Sequence, residues 1–324
     1  MKRGLVLAAG VALASCAHFP PPPPARQAPE FADGFFVARD GARLGLSVWR
    51  AEHPKAILIA LHGMNDYAHA FDGLGTYLVE NADITTYAYD QRGFGRSPEF
   101  GRWPGEGALI ADLNSAIAAA RAEYPGLPVF VLGHSMGGAV ILDAAEKGAL
   151  DVDGAILAAP GIWGASRLPL FYRIVLNVTA NIAPGKKLTG ERAHRQSTDN
   201  IPILREMFAD PQIIKATRMD AVLGVVRLMG EAWRASDKVG GDVLFLYGAK
   251  DEIIPVSAQA ATAARLCGSV DADEFPDGWH LLFRDLEAER VWRAVAAWIA
   301  DREKKGAAGP LRRFGPAALA CTGR

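Results

Sequence analysis

Val129-Phe130-Val131-Leu132 is an apolar run that passes without a polar break into Gly133-His134-Ser135-Met136-Gly137, and an Ala-rich stretch of helical composition follows at once. A chain that must turn from buried strand to helix within five residues has little conformational freedom. The backbone folds back tightly and can hold the central serine at positive φ, so both flanking positions must be small. Gly133 and Gly137 meet that need. Such a turn raises the Ser135 hydroxyl above a sheet edge and leaves the first amides of the helix without acceptors. Ser135 is the candidate nucleophile, and the Met136 N–H is a candidate donor to a developing oxyanion.

The surrounding pattern predicts the rest of an α/β fold. A leading hairpin is expected at 35–38 and 44–49 around Asp40-Gly41, and continuously apolar or short strands at 56–61, 84–89, 129–132, 154–158 and 242–247, with a further strand ending near Asp273. Helices are expected at about 70–80, 107–123, 137–147, 257–266 and 285–302. This alternation predicts a mostly parallel sheet flanked by helices, joined by right-handed crossovers. The rhythm breaks after the strand ending near Ala158. Residues of about 161–238 carry Pro169, Pro184 and Pro202, a polar stretch at 191–200 and amphipathic pieces, with no good buried strand, so they read as a helical cap inserted over the carboxyl edge of the sheet. The 324 residues and 50% hydrophobic content allow such a core and exclude a wholly disordered chain.

The ends differ in kind from the body. Lys2 and Arg3 precede an apolar run from Gly4 to Leu13, and Leu13-Ala14-Ser15-Cys16 closes it. This resembles a bacterial lipoprotein signal over 1–15, with Cys16 as the lipidated first mature residue; an ordinary secretory peptide or an uncleaved anchor is the alternative. Ala17 after the cysteine favours the outer membrane facing the periplasm. The prolines 20–24 predict an extended tether over 17–34, ahead of a domain at 35–303 and a mobile basic tail at 304–324. With 35 Lys and Arg against 36 Asp and Glu, no net field speaks for a nucleic-acid partner. Cys267 is expected in an apolar helical run and in the core. The scattered histidines and cysteines lack the spacing of a metal site, and no cofactor is expected.

A serine hydroxyl needs a base within hydrogen-bond reach and a carboxylate to orient that base. Asp251 follows the apolar run 243–247, in a loop closed by Pro255, and is the candidate acid; Asp273 is the reserve, and the adjacent Glu252 is expected to face elsewhere. His280, in a loop before the last amphipathic helix, is the candidate base. Of the other histidines, His62 is expected to pack under the turn after Leu61, His134 to shape the serine turn and His69 to line the entrance. His18, His53 and His194 fit tether, loop and insertion. The turn at Gly63 frees the Met64 amide as the second oxyanion donor.

Together, Leu61-His62-Gly63-Met64, Tyr89-Asp90-Gln91-Arg92-Gly93-Phe94-Gly95-Arg96-Ser97, Gly133-His134-Ser135-Met136-Gly137, Gly248-Ala249-Lys250-Asp251 and Gly278-Trp279-His280 resemble the monoacylglycerol lipase and lysophospholipase-like branch of the α/β hydrolases, also grouped with the S33 serine aminopeptidases (Hydrolase_4). The order Ser135, Asp251, His280 is that of the fold. The resemblance implies a serine carboxylic-ester hydrolase working through an acyl-enzyme, and it reads Asp90 and Arg92 as an internal pair in a structural turn. Where monoacylglycerol lipases usually carry Gly-Glu-His after the oxyanion turn, this chain has Asn65-Asp66-Tyr67. The cap's apolar residues, Trp163, Tyr172, Met219 and Trp233 among them, are candidates to receive an acyl chain, at about 0.8 kcal/mol per buried methylene. A serine aminopeptidase or other amidase of the same fold, and a non-catalytic envelope lipid-binding protein, are the alternatives.

Overall fold

The computed structural model describes residues 19–148, 150–163, 169–189, 195–305 and 311–313. The lipoprotein-type signal, Cys16, His18, His194 and Cys321 lie outside the described residues.

The body is one twisted sheet with helices on both faces. Its antiparallel lead is β1 (Glu30–Ala32), β2 (Phe35–Val37) and β3 (Arg43–Trp49), with the β2–β3 turn closed by the N–H of Ala42 on Asp40 Oδ1 at 3.1 Å. The parallel part comprises β4 (Ala56–Leu61), β5 (Ile84–Tyr89), β6 (Val129–His134), β7 (Gly154–Ala158), β10 (Val239–Gly248) and β11 (Cys267–Phe275). The spatial order is β1-β2-β3-β5-β4-β6-β7-β10-β11. This is the α/β-hydrolase arrangement, and the order reverses direction at β4, which lies beside β6.

The period-2 alternation of a buried strand sorts the core into two layers. Ile57, Ile59 and Leu61 of β4 face the layer of α2 (Glu106–Glu123) and α3 (Met136–Lys147). Ala56, Leu58 and Ala60 face the layer of α1 (Asp72–Ala82) and α8 (Ala288–Lys305). All six are buried on both sides, which is why the run reads as continuously apolar. A short helix, α7 (Val256–Ala263), links β10 to β11.

The cap contains α4 (Leu170–Ile182), α5 (Ile201–Ala209) and α6 (Met219–Ala235), and α6 packs on both α3 and α4. It is not purely helical: β8 (Lys187–Thr189) pairs antiparallel with β9 (Ala216–Arg218). These strands are three residues long and not buried, so they carry no apolar signal.

The ends are more engaged than their composition predicts. In the segment expected as a tether, Phe19 meets Trp103 edge-on at 6.3 Å, Arg26 and Gln27 both donate to the Arg39 carbonyl, and β1 begins at Glu30. In the stretch expected as a mobile tail, Leu311 is buried and bridges Leu150, and β12 (Arg312–Arg313) pairs antiparallel with Val239 and Gly240. Cys267 is buried as expected but starts the strand β11 and lies in no helix.

Candidate active site

Adjacent strand ends bring the loops together. Leu61 pairs with Gly133 across β4 and β6, so the chain after Leu61 and the serine turn leave the sheet side by side. Ser135 has φ +52, and a Cβ on Gly133 would stand 2.4 Å from the Gly138 nitrogen, one on Gly137 2.2 Å from the Leu61 carbonyl oxygen. Only glycine fits either place. The strained serine is held by its neighbours: its N–H donates to the Ala158 carbonyl at 3.0 Å, and its own carbonyl accepts from Gly161 at 2.7 Å.

The acid and imidazole loops touch through backbone. A Cβ on Gly248 would lie 2.3 Å from the Gly278 oxygen, and the Lys250 N–H donates to that oxygen at 2.9 Å. Asp251 Oδ2 then accepts from His280 Nδ1 at 2.9 Å, and His280 Nε2 accepts from Ser135 Oγ at 3.0 Å. Burial alone would raise the Asp251 carboxyl. The His280 ring, with the N–H groups of Ile253 and Ile254 at 2.8 and 2.9 Å on Oδ1, holds it below the ordinary carboxylate range. The reserve residue Asp273 is exposed on β11 and has no part in this line. Glu252 turns away from His280 and accepts from the Gln196 N–H.

Two further histidines support the loops. His62 is fully buried; its Nδ1–H donates to Gly63 O at 2.8 Å and its Nε2 accepts from Gln91 N at 2.9 Å. Burial pushes its pKa down, keeping the ring neutral and the bond pattern fixed. His134 donates from Nε2 to the His280 carbonyl at 2.8 Å, and burial, aided by the neighbouring His280, pushes its pKa down to about 3. His69 is half-exposed, pairs with Asp72 and stacks on Tyr67.

Gly63 lies so close to the serine turn that an added Cβ would meet Ser135 Cβ at 3.3 Å. The Met64 amide is therefore on the loop facing Ser135, and the Met136 amide opens α3 on the other side. Asp90 and Arg92 do not pair with each other. Asp90 takes Arg96 Nε and the Arg96 and Ala68 amides, whereas Arg92 spans Asp112 and Asp40. The expected internal pair is thus replaced: Asp90 pairs with Arg96 within the same turn, whereas Arg92 reaches Asp112 on α2 and Asp40 in the hairpin turn.

The four candidate acyl contacts stand in different places. Trp163 is partly buried against the central core, two residues past Gly161. Tyr172 is 61% exposed, Met219 is buried with Ala180 and Leu223 inside the cap, and Trp233 lies under the Arg265 guanidinium at 4.3 Å. Tyr172 thus faces solvent and Met219 the interior of the cap. Met229 is a neighbour the candidate set omits: its Cγ is 3.4 Å from the Cβ position of Gly161, beside the serine carbonyl. Its signal was the helical spacing of Val225, Met229 and Trp233 on α6. A surface cavity of about 870 Å³ lies between the Pro22–Ala25 stretch and α2 and includes none of Ser135, Asp251 and His280.

Residues 52–287 match the family model described as serine aminopeptidase, S33 (Hydrolase_4). The chain belongs to this family and is an α/β hydrolase of the serine esterase and lipase type. It is 24% identical over 271 residues to a monoacylglycerol lipase of Mycolicibacterium smegmatis, covering 82% of this chain and 95% of that protein. It is 32% identical over 287 residues to the monoglyceride lipase of Rattus norvegicus, covering 82% and 89%. The crystal structure of a monoacylglycerol lipase from Paleococcus ferrophilus superposes with a TM-score of 0.68 at 22% identity, over 80% of this chain and 99% of that one, a likeness of fold.

Proposed function

We propose that this protein hydrolyses monoacyl esters, monoacylglycerol or lysophospholipid in type, through Ser135, His280 and Asp251. The observation that carries the reading is the unbroken line from Ser135 Oγ to His280 Nε2 at 3.0 Å and from His280 Nδ1 to Asp251 at 2.9 Å. His280 takes the serine proton as Ser135 attacks the ester carbonyl, and returns it to the leaving alcohol. Asp251, held ionised, keeps the Nδ1–H in place and stabilises the imidazolium. The Met64 and Met136 amides receive the oxyanion; loss of one side-chain donor in such a site costs about 3 to 4 kcal/mol, and backbone donors survive side-chain mutation. Water, activated by the same imidazole, then releases the fatty acid from the acyl-enzyme. The monoacylglycerol lipases among the relatives support the substrate class. Lipidation at Cys16 would hold the enzyme on the bacterial envelope, at the outer membrane facing the periplasm, beside its substrate.

A fluorophosphonate probe should form one adduct, at Ser135, and none in Ser135→Ala. Rates on esters should rise with acyl length and exceed those on aminoacyl amides. Absence of an adduct in folded protein would return the reading to a lipid-binding shell, and a preference for aminoacyl amides would return it to a peptidase.

A further inference from the structure

The loops of the site are tied to the cap through two short stretches. In the first, 195–200, the Gln196 N–H donates to Glu252 Oε2 at 2.7 Å and the Arg195 guanidinium to the Glu252 carbonyl. Glu252 is the residue after Asp251. The same stretch reaches the imidazole loop: the Leu281 N–H, next to His280, donates to the Ser197 carbonyl at 2.9 Å, Asn200 Nδ2 to the Arg284 carbonyl at 2.9 Å, and the Leu286 N–H to Asp199 Oδ1 at 2.9 Å.

The second stretch, 210–217, holds the loop after β4. The Ile214 N–H donates to the Asn65 carbonyl at 3.0 Å, Asn65 Nδ2 donates to Thr217 Oγ1 at 2.7 Å, and the Tyr67 hydroxyl donates to Asp210 at 2.7 Å. Asn65 directly follows Met64 and sits at φ +66. Asp66 meets Arg284 in a buried ion pair that joins this loop to the imidazole loop. The tripeptide Asn65-Asp66-Tyr67, the departure from Gly-Glu-His, thus places all three side chains in ties to the cap or to the imidazole loop.

We propose that these stretches are positioning elements, with Asn200 and Glu252 aligning His280 on Asp251, and Thr217 aligning the Met64 amide over Ser135. Seating of the cap then governs the rate of the chemical step as well as access to it. The physical reason is that a loop anchored only at its ends opens at low cost, whereas the reaction tolerates little displacement: a misplacement of about 1 Å can cost about 100-fold in rate. The proposal rests on the serine-esterase reading and adds residues outside the serine, acid and imidazole.

The test uses the full chain and a short soluble ester, 4-nitrophenyl acetate, whose acyl group is too small to depend on a long-chain pocket. Glu252→Ala with Asn200→Ala should lower kcat about tenfold or more with KM nearly unchanged, and should shift or broaden the low-field proton resonance of the His280–Asp251 bond. Thr217→Val, close in shape and able to fold, should lower kcat and leave that resonance in place. Glu252→Gln and Thr217→Ser retain the acceptors and should restore wild-type values. Folded variants with unchanged kcat and unchanged resonance, or with a loss confined to KM, would overturn the proposal. Failure of the wild-type protein to take the fluorophosphonate at Ser135 would instead sink the esterase reading, and the resonance would still report on the positioning.

Discussion

The serine turn and the cap sit against each other and are held by opposite means. The turn is fixed by backbone sterics: Gly133 and Gly137 stand where a single added carbon would collide with backbone atoms at 2.4 and 2.2 Å, as Gly248 does at 2.3 Å where the acid and imidazole loops touch. Side chains can relax around a misfit, but two crossing backbones cannot. The cap buries the inner face of α6 against α3 but meets the site loops through hydrogen bonds, several of them partly exposed, and its outer helix α4 leaves Leu170, Phe171 and Ile182 at 67, 69 and 80% exposure. One region therefore has a geometry nearly independent of conditions. The other aligns the site loops through bonds that each contribute about 0.5–1.5 kcal/mol.

The sharpest way to break this comparison is Gly137→Ala. The new methyl group would stand 2.2 Å from the Leu61 oxygen, in the strand that carries the loop to Met64, so β4 and α3 must separate. The expected loss is more than about 4 kcal/mol, read as a large fall in the urea midpoint together with loss of probe labelling. A midpoint close to wild type would show that the turn has slack and that sterics do not hold it.

An effect of several kcal/mol should follow pH through His134. In the unfolded chain this imidazole takes a proton near its ordinary value of 6.5, whereas burial keeps it neutral in the fold down to about 3. As pH falls from about 6.5 to about 3 the unfolded state binds a proton that the folded state refuses, so stability declines across that window. His134→Gln removes the group and should flatten the decline, measured as urea midpoints between pH 7 and pH 4. Asp251 acts lower, because its carboxyl is held below the ordinary 3.8, and its contribution is lost only as pH falls through that depressed value. An unflattened profile in the variant would assign the acid lability to other groups.

The same contrast decides what could be read from the chain. The parallel strands, and the juxtaposition of Ser135, Asp251 and His280, are legible because buried strands must be apolar throughout and because a turn with no spare volume demands glycine at set positions. β11 is harder: it is an edge strand whose Asp273 and Glu274 are exposed and whose Asp271 accepts from Trp298 and Arg302, so no apolar run marks its extent, and Cys267 looks helical from its neighbours. The partners of Arg92 are illegible for another reason. Asp112 lies on α2 and Asp40 in the hairpin turn, and only the folded topology brings them to one guanidinium. The cap contacts are illegible in the same way, since helical spacing shows which residues share a face but not which face meets Ser135.

The smallest expected effect tests whether the outer face of α4 contributes to folding at all. Phe171 is 69% exposed and its ring meets that of its neighbour Tyr172, so Phe171→Ser removes little area that folding buries. Stability should change by less than about 0.5 kcal/mol. Leu223 on α6 is chemically comparable but only 2% exposed, packed with Met219, Ala180 and Leu176, and Leu223→Ala should cost about 2–5 kcal/mol. Measured side by side in urea, the pair separates the two faces of the cap. A Phe171→Ser midpoint shift as large as that of Leu223→Ala would mean that the outer face of α4 is packed in solution, so that apolar burial would hold both faces of the cap and not only the inner face that α6 buries against α3.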